Sequence, residues 1–358
     1  DFHALTTNYE DSRNIEQYSF ETVIDWLAAG VNPGSCTIFL QSKVPEHTEL
    51  HLLLSMITPL SWLERVPSYK DQQAKLNDKE LGTYGFLGYP LLQAADILIY
   101  KAGKVPVGAD QVAHIELTRE IARRFNHIYG REEGFEEQAE AAIKLMGKKA
   151  AKLYRDLRRS FLEKGDSEAL LKARALLEGQ QNLSIGDKER LYGYLEGGGR
   201  IILTEPGPIL TDVPKMPGLD GEKMSKSYDN VISLREEPSE IESKIRKMMT
   251  DPARVRLKDP GNPSNCPVYD LHRVYSPEDT KSWVRNGCTN ASIGCIDCKK
   301  PLIDSINTEQ QIMIERAQQF EEDPDLVHSI IQEGSEQARL VARDTLDEVK
   351  ECIGISHR

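Results

Sequence analysis

The densest chemical signal in the chain is Lys223-Met224-Ser225-Lys226-Ser227, which follows a Pro- and Gly-rich stretch and precedes Tyr228-Asp229-Asn230. Two ammonium groups and two hydroxyls on one loop can surround a triphosphate, because charge-assisted hydrogen bonds to phosphate oxygens are the strong ones. When a carboxylate attacks the α-phosphorus, negative charge builds on the departing pyrophosphate, and fixed cations aimed at it lower the barrier. Met224 can lie against an adenine while its backbone satisfies the base edge. A solvated basic turn is the competing reading, and the five-residue order argues against it.

Three further sets of residues could do chemistry. Cys266, Cys288, Cys295 and Cys298 end in a Cys-x-x-Cys. Four such thiolates can enclose a tetrahedral Zn2+ or a [4Fe–4S] cluster, against the alternative of unrelated buried cysteines. Asp96 stands among Ala94, Ala95, Ile97 and Leu98, which makes it a candidate buried acceptor rather than a surface carboxylate. Gly108-Ala109-Asp110-Gln111 falls where a strand enters a helix. Gly108 permits close ligand approach and Asp110 can accept from ribose hydroxyls, although helix capping would use the same residues.

These residues need a scaffold, and the hydrophobic pattern supplies one. Helices are predicted over 20–29, 46–58, 89–101 (Pro90 in the first turn) and 111–129. Strands are predicted at 37–42, 105–108 and 200–204. Such alternation with apolar strands points to an α/β fold, a doubly wound parallel sheet covered on both faces. Residues 131–199 read as a helical hairpin inserted into that unit, with the apolar stripe Met146, Ala150, Leu153, Tyr154, Leu157 and Phe161. Its first helix is basic: Lys148, Lys149, Lys152, Arg155, Arg158, Arg159 and Lys164 either face a nucleic acid or pair with Glu residues. From 239 onward helical patterns dominate, with an irregular cysteine-bearing stretch at 262–301 and Asp323-Pro324 breaking the charged helices of 308–352. The organisation expected is a catalytic unit of 1–130 and 200–238, an insertion of 131–199 and an all-α unit of 239–358.

The chain has 358 residues and a formal net charge of −12. That acidity argues against indiscriminate polyanion binding and leaves local Lys/Arg clusters to set the field a phosphate feels. No apolar run reaches the roughly 18 residues of a membrane span. The uneven placement of the six cysteines fits a reduced, cytoplasmic compartment better than a disulfide scaffold.

Lys223–Ser227 matches the KMSKS signature of class I aminoacyl-tRNA synthetases. Together with Tyr89–Ile97, Val105–Gln111 and His114–Ile121, and with the blocks Asp1–Thr6 and Gln41–His47, the chain resembles the tryptophanyl-tRNA synthetases over residues 1–130 and about 200–358. The resemblance implies a Rossmann-like catalytic domain, ATP with Mg2+, L-tryptophan and tRNA(Trp) as substrates, and a homodimer. It puts Asp96 on the indole N–H, an acceptor that a pocket selective against Phe-like side chains requires. Tyr89, Gln93 and Gln111 would contact the amino acid, and His3, Val105 and Val107 would line its pocket. Gly108, Ala109, Asp110 and the residues 223–227 would bind ATP. Gln93 departs from the Met common in the family. Some members carry an iron–sulfur cluster on cysteines spaced like these, which favours Fe–S over zinc. The family's HIGH-like element, expected upstream of the block at Asp1, has no match, and an upstream piece is expected. A tyrosyl enzyme, a non-catalytic RNA- or tryptophan-binding paralogue, and a nucleotidyltransferase without a tRNA step are the rival readings.

Overall fold

The computed structural model describes residues 1–67, 82–130, 134–164, 166–210, 216–225 and 229–356. Helices α1 (Phe2–Asn8), α2 (Ile15–Ala28), α3 (Glu46–Ser55), α4 (Leu60–Glu64) and α5 (Tyr84–Leu98) lead into β1 (Lys104–Pro106) and α6 (Val112–Tyr129). Four helices follow: α7 (Phe135–Leu145), α8 (Lys148–Lys164), α9 (Ser167–Glu178) and α10 (Ile185–Leu195). Strand β2 (Gly207–Ile209) then precedes α11 (Pro238–Lys247), α12 (Pro267–Tyr275), α13 (Glu278–Thr289), α14 (Cys295–Glu322) and α15 (Pro324–Ile353).

Among the described residues the sheet has two strands, β1 and β2, parallel with Val105 opposite Pro208. The return from one to the other passes through α6 and the inserted helices, as a parallel pair requires. Two predicted strands are replaced by irregular backbone. Of the strand expected at 37–42, residues 37–40 are irregular and Gln41–Lys43 form a 3-10 turn; 37–40 lie against α15, where Gly334 leaves room for the Ile38 carbonyl that any Cβ would overlap. Residues 200–204 are also unassigned. There a side chain replaces a neighbouring strand: Asn126 Oδ1 accepts from the N–H groups of Ile202 and Leu203, both 2.9 Å, and Asn126 Nδ2 donates to the Leu203 carbonyl at 2.8 Å.

Three other expectations are corrected. The insertion is four helices rather than a hairpin, and their apolar faces make a core of their own, with Ala142, Ile143, Tyr154, Leu177, Leu191 and Leu195 buried together. Helix α5 begins at Tyr84, capped by the Thr83 side chain, so Pro90 lies in its interior and its absent N–H removes one bond from the ladder. The stretch 262–301 is mostly helical, because α12 and α13 bury Val268, Leu271 and Val284 against Leu302 and Ile306 of α14.

The main core joins α3, α5 and α6 to the C-terminal helix. Leu50, Leu54, Leu91, Leu98, Ile121 and Phe125 pack with Ala338, Ala342 and Leu346 of α15. Helix α2 packs separately against α14 and α15 through Val23, Ile24, Ala317 and Val327. No helix among the described residues is long and apolar enough to cross a membrane.

Candidate active site

Asp96 is placed by α5 with three donors around it. Oδ1 accepts from Gln41 Nε2 and pairs with His47 Nδ1, both at 2.6 Å, and Oδ2 stands 2.9 Å from His3 Nε2. His47 is fully buried and its Nε2 meets the Tyr100 hydroxyl at 2.7 Å. Burial opposes ionisation of Asp96, but the hydrogen bonds and charges of His3 and His47 outweigh it and hold the carboxyl below its usual range. The same burial, with the Asp96 charge, raises the Tyr100 phenol. A carboxylate has about four acceptor sites; three are engaged, and the remaining one lies on Oδ2. Asp1 fixes the position of His3, since its side chain caps α1 at Phe2 N–H and also accepts from Ser42 N–H at 3.2 Å.

His3, Tyr89, Gln93 and Asp96 line one cavity of about 480 Å³ together with Thr6 and Thr7. Asp96 and His3 also form the wall of a larger cavity of about 950 Å³, between α1, α2 and the extended segment 37–40. Tyr89 Oη lies 3.2 Å from His114 Nε2, a histidine whose burial lowers its pKa.

From the smaller cavity a line of polar contacts leads to the lysine–serine loop. Gln93 Nε2 donates to Gln111 Oε1 at 3.4 Å, Gln111 Nε2 donates to Asp110 Oδ2 at 2.8 Å, and Lys223 Nζ reaches the same oxygen at 2.7 Å. Burial pushes the Asp110 carboxyl upward, and the bonds from Lys223 and Gln111 outweigh it, leaving the group below its usual range. Gly108 and Ala109 lead from β1 into the short 3-10 turn that carries Asp110 and Gln111. Val105 is in β1 and Val107 N–H donates to Ile209 O at 3.0 Å; neither is among the residues lining the cavity of Asp96. Lys226 and Ser227 lie outside the described residues.

The loop itself is organised by a residue to which sequence reasoning assigned no role. Asn230 is 3% exposed. Its Oδ1 accepts from Ser225 N–H at 2.7 Å, and its Nδ2 donates to Asp220 Oδ1 at 2.8 Å and to the Lys223 carbonyl at 3.1 Å. Gly218 gives it room, since a Cβ there would overlap the Asn230 amide. Met224 N–H is held by Met216 O at 2.9 Å. Gln41, His47 and Tyr100 were likewise missed as site residues. The only signal for them was that a buried carboxylate needs donors, which does not say from where.

Cys266 precedes α12, Cys288 ends α13, and Cys295 and Cys298 occupy the first turn of α14. All four are free thiols. Burial foremost, and then the charges of Cys266, Cys288 and Cys295, push the Cys298 thiol up to about 12. Cys266 and Cys288 are raised by burial and by the same neighbours. Among the described residues no three donors stand close enough together to hold a metal ion. By type, four thiols are the donors a thiolate-bound metal or cluster takes.

The family model described as tRNA synthetases class I (W and Y) matches residues 1–152 and 188–309. The tryptophan–tRNA ligase of Ralstonia nicotianae is 59% identical over 357 residues, covering 100% of this chain and 89% of that protein. That of Thermotoga maritima is 42% identical over 356 residues, covering 99% and 87%. Among solved structures, the tryptophanyl-tRNA synthetase from Campylobacter jejuni complexed with ADP and tryptophan aligns with a TM-score of 0.66 at 25% identity, covering 99% of this chain and 87% of that one. The fold is thus the Rossmann-like fold of class I synthetases with mostly helical content, and the chain belongs to the class I tryptophanyl- and tyrosyl-tRNA synthetase family, among its tryptophan–tRNA ligases.

Proposed function

We propose that this site activates L-tryptophan with ATP and transfers it to the 3′-terminal ribose of tRNA(Trp). In the first step a tryptophan carboxylate oxygen bonds to the α-phosphorus and the bond to pyrophosphate breaks, giving tryptophanyl-adenylate. In the second, a terminal ribose hydroxyl attacks the adenylate carbonyl and AMP leaves. Asp96 Oδ2 accepts the indole N–H, Tyr89, Gln93 and Gln111 orient the amino acid, and His3 fixes the carboxylate. Asp110, Gly108 and Ala109 meet the ribose and phosphates, while Lys223, Met224, Ser225, Lys226 and Ser227 close over the triphosphate. Mg2+ bound with the nucleotide neutralises part of the phosphate charge. Val105 and Val107 back the pocket from the β1 side.

The observation that carries this reading is the unbroken contact line from the cavity of Asp96 through Gln93, Gln111 and Asp110 to Lys223. Three finer features belong to the same proposal. The parallel pair β1–β2 is part of a doubly wound sheet in a catalytic unit of 1–130 and 200–238, with 131–199 inserted and 239–358 as a helical tRNA-reading domain. Cys266, Cys288, Cys295 and Cys298 hold a [4Fe–4S] cluster, or Zn2+, as a cross-link ordering the starts of α12 and α14. The molecule works as a homodimer, a reading supported by Leu52, Met56, Leu60 and Tyr84, large apolar side chains left exposed along α3 to α5.

The test is ATP–pyrophosphate exchange run separately with tryptophan and with tyrosine. Tryptophan-dependent exchange, lost in Lys226→Ala, is expected. Exchange with tyrosine alone would turn the assignment to a tyrosyl enzyme, and binding without exchange would turn it to a non-catalytic paralogue.

A further inference from the structure

We propose that the outward face of α8 in the inserted unit is a phosphate-binding surface for the tRNA substrate, an inference that rests on the aminoacylating function proposed above. The inner face of α8 is used in packing: Ala151 and Tyr154 are buried, Tyr154 Oη donates to Leu191 O at 2.6 Å, and Arg158 Nε donates to Tyr194 O at 2.7 Å with its guanidinium 3.9 Å above the Tyr194 ring. Lys148, Lys152, Arg155 and Arg159 recur at the spacing that keeps side chains on one helix face, and Lys149 stands beside them. All five are exposed. Arg155 is tied to Glu140 of α7 at 2.6 Å, whereas Lys148, Lys149, Lys152 and Arg159 have no ion pair with a described residue. The acidic residues of the helix are Asp156 and Glu163, also exposed.

In a chain of net charge −12, this strip collects four cations, Lys148, Lys149, Lys152 and Arg159, that pair with no carboxylate of the described residues. At about 1.5 Å per residue it runs roughly 16 Å from Lys148 to Arg159, enough to follow several successive phosphates of an RNA strand. The face is also firmly mounted. Arg200 N–H donates to Gly130 O at 2.8 Å, closing the base of the insertion. The Arg200 guanidinium pairs with Glu189 of α10 and with Glu348 of α15, and Lys101 reaches Glu348 at 2.6 Å. A rigidly attached basic strip costs little to order when a polyanion binds.

The test uses the full-length protein carrying Lys148→Gln, Lys149→Gln, Lys152→Gln and Arg159→Gln together, all exposed positions outside the packed face. The KM for tRNA(Trp) is measured across about 50–200 mM salt, beside tRNA-independent ATP–pyrophosphate exchange with tryptophan. At low salt the KM should rise at least about tenfold, and the log–log salt slope should become shallower by about 3, four contacts at roughly 0.7–0.9 each. Exchange should be unchanged. An unaltered KM and slope overturn the proposal; so does a raised KM with an unaltered slope, which would mean damage to the fold rather than lost phosphate contacts. If the parent protein shows no tryptophan-dependent exchange, the functional reading beneath the proposal is what fails.

Discussion

Replacing Asn230 with Ala removes the acceptor of Ser225 N–H and the donor to Asp220 and to the Lys223 carbonyl. Three hydrogen bonds at about 0.5–1.5 kcal/mol each, with the lower end applying to the half-exposed loop atoms that water can reach, put the loss at about 2–3 kcal/mol. If that order is required only when the loop grips the triphosphate, the loss appears in the barrier to adenylation and kcat falls about 30- to 150-fold. Asn230 touches nothing in the cavity of Asp96, so the KM for tryptophan should stay within about twofold of the parent in the exchange assay. Asn230→Asp keeps the acceptor for Ser225 but sets a carboxylate against Asp220, and should be at least as damaging near neutral pH. Adding Asp220→Asn restores a donor–acceptor pair in reversed sense and should recover part of the rate, which a generally loosened structure would not do. An Ala variant within threefold of the parent kcat, or a swap without recovery, refutes Asn230 as a positioning residue.

Asp96→Ala should raise the KM for tryptophan by at least tenfold, and should lower stability in urea by about 1–3 kcal/mol because buried His47 and Gln41 lose their acceptor. Because the folded Asp96 carboxyl is depressed, its contribution is fully present above the unfolded value of about 3.9 and fades as pH falls through the folded value; acid titrations of parent and variant should therefore converge at low pH. Lys223→Ala should cut kcat for exchange about 10²–10³-fold, the usual cost of one fixed donor to transition-state charge, measured in the same assay. Cys295→Ser with Cys298→Ser should abolish iron or zinc content in elemental analysis of protein purified without oxygen; full metal retention would place any metal elsewhere.

The lysine–serine loop and Asp96 were legible because each announces itself locally, one by a five-residue order and the other by a charge set among apolar neighbours. What holds them was not. Gln41 and His47 reach Asp96 from 55 and 49 residues away, a closure set by how α3 packs on α5. The strands expected at 37–42 and 200–204 failed for a related reason: apolar runs record burial, not hydrogen-bond partners. In one case the run is packed closely on a helix backbone at Gly334, and in the other an asparagine side chain takes the place of a neighbouring strand. The insertion's helices were visible in their period, but counting four instead of two needed the turn at Gly134 and the Ser184 capping box to be weighed as boundaries.

The Lys223–Asp110 pair joins these parts. Its two side chains are 44% and 43% exposed, and an exposed pair of this kind is worth about 0–1 kcal/mol. That is too little to lock the loop, yet the pair holds it against the turn that carries Asp110 and Gln111. In the proposed mechanism an incoming triphosphate, with several oxygens and far more charge than one carboxylate, would displace Asp110 as the partner of Lys223 and leave that carboxylate to accept from the ribose. Asn230 meanwhile holds Ser225 and the Lys223 carbonyl through bonds that do not involve the Lys223 ammonium. The loop can therefore exchange its electrostatic partner without losing its shape, which is what a cation required mainly at the transition state needs.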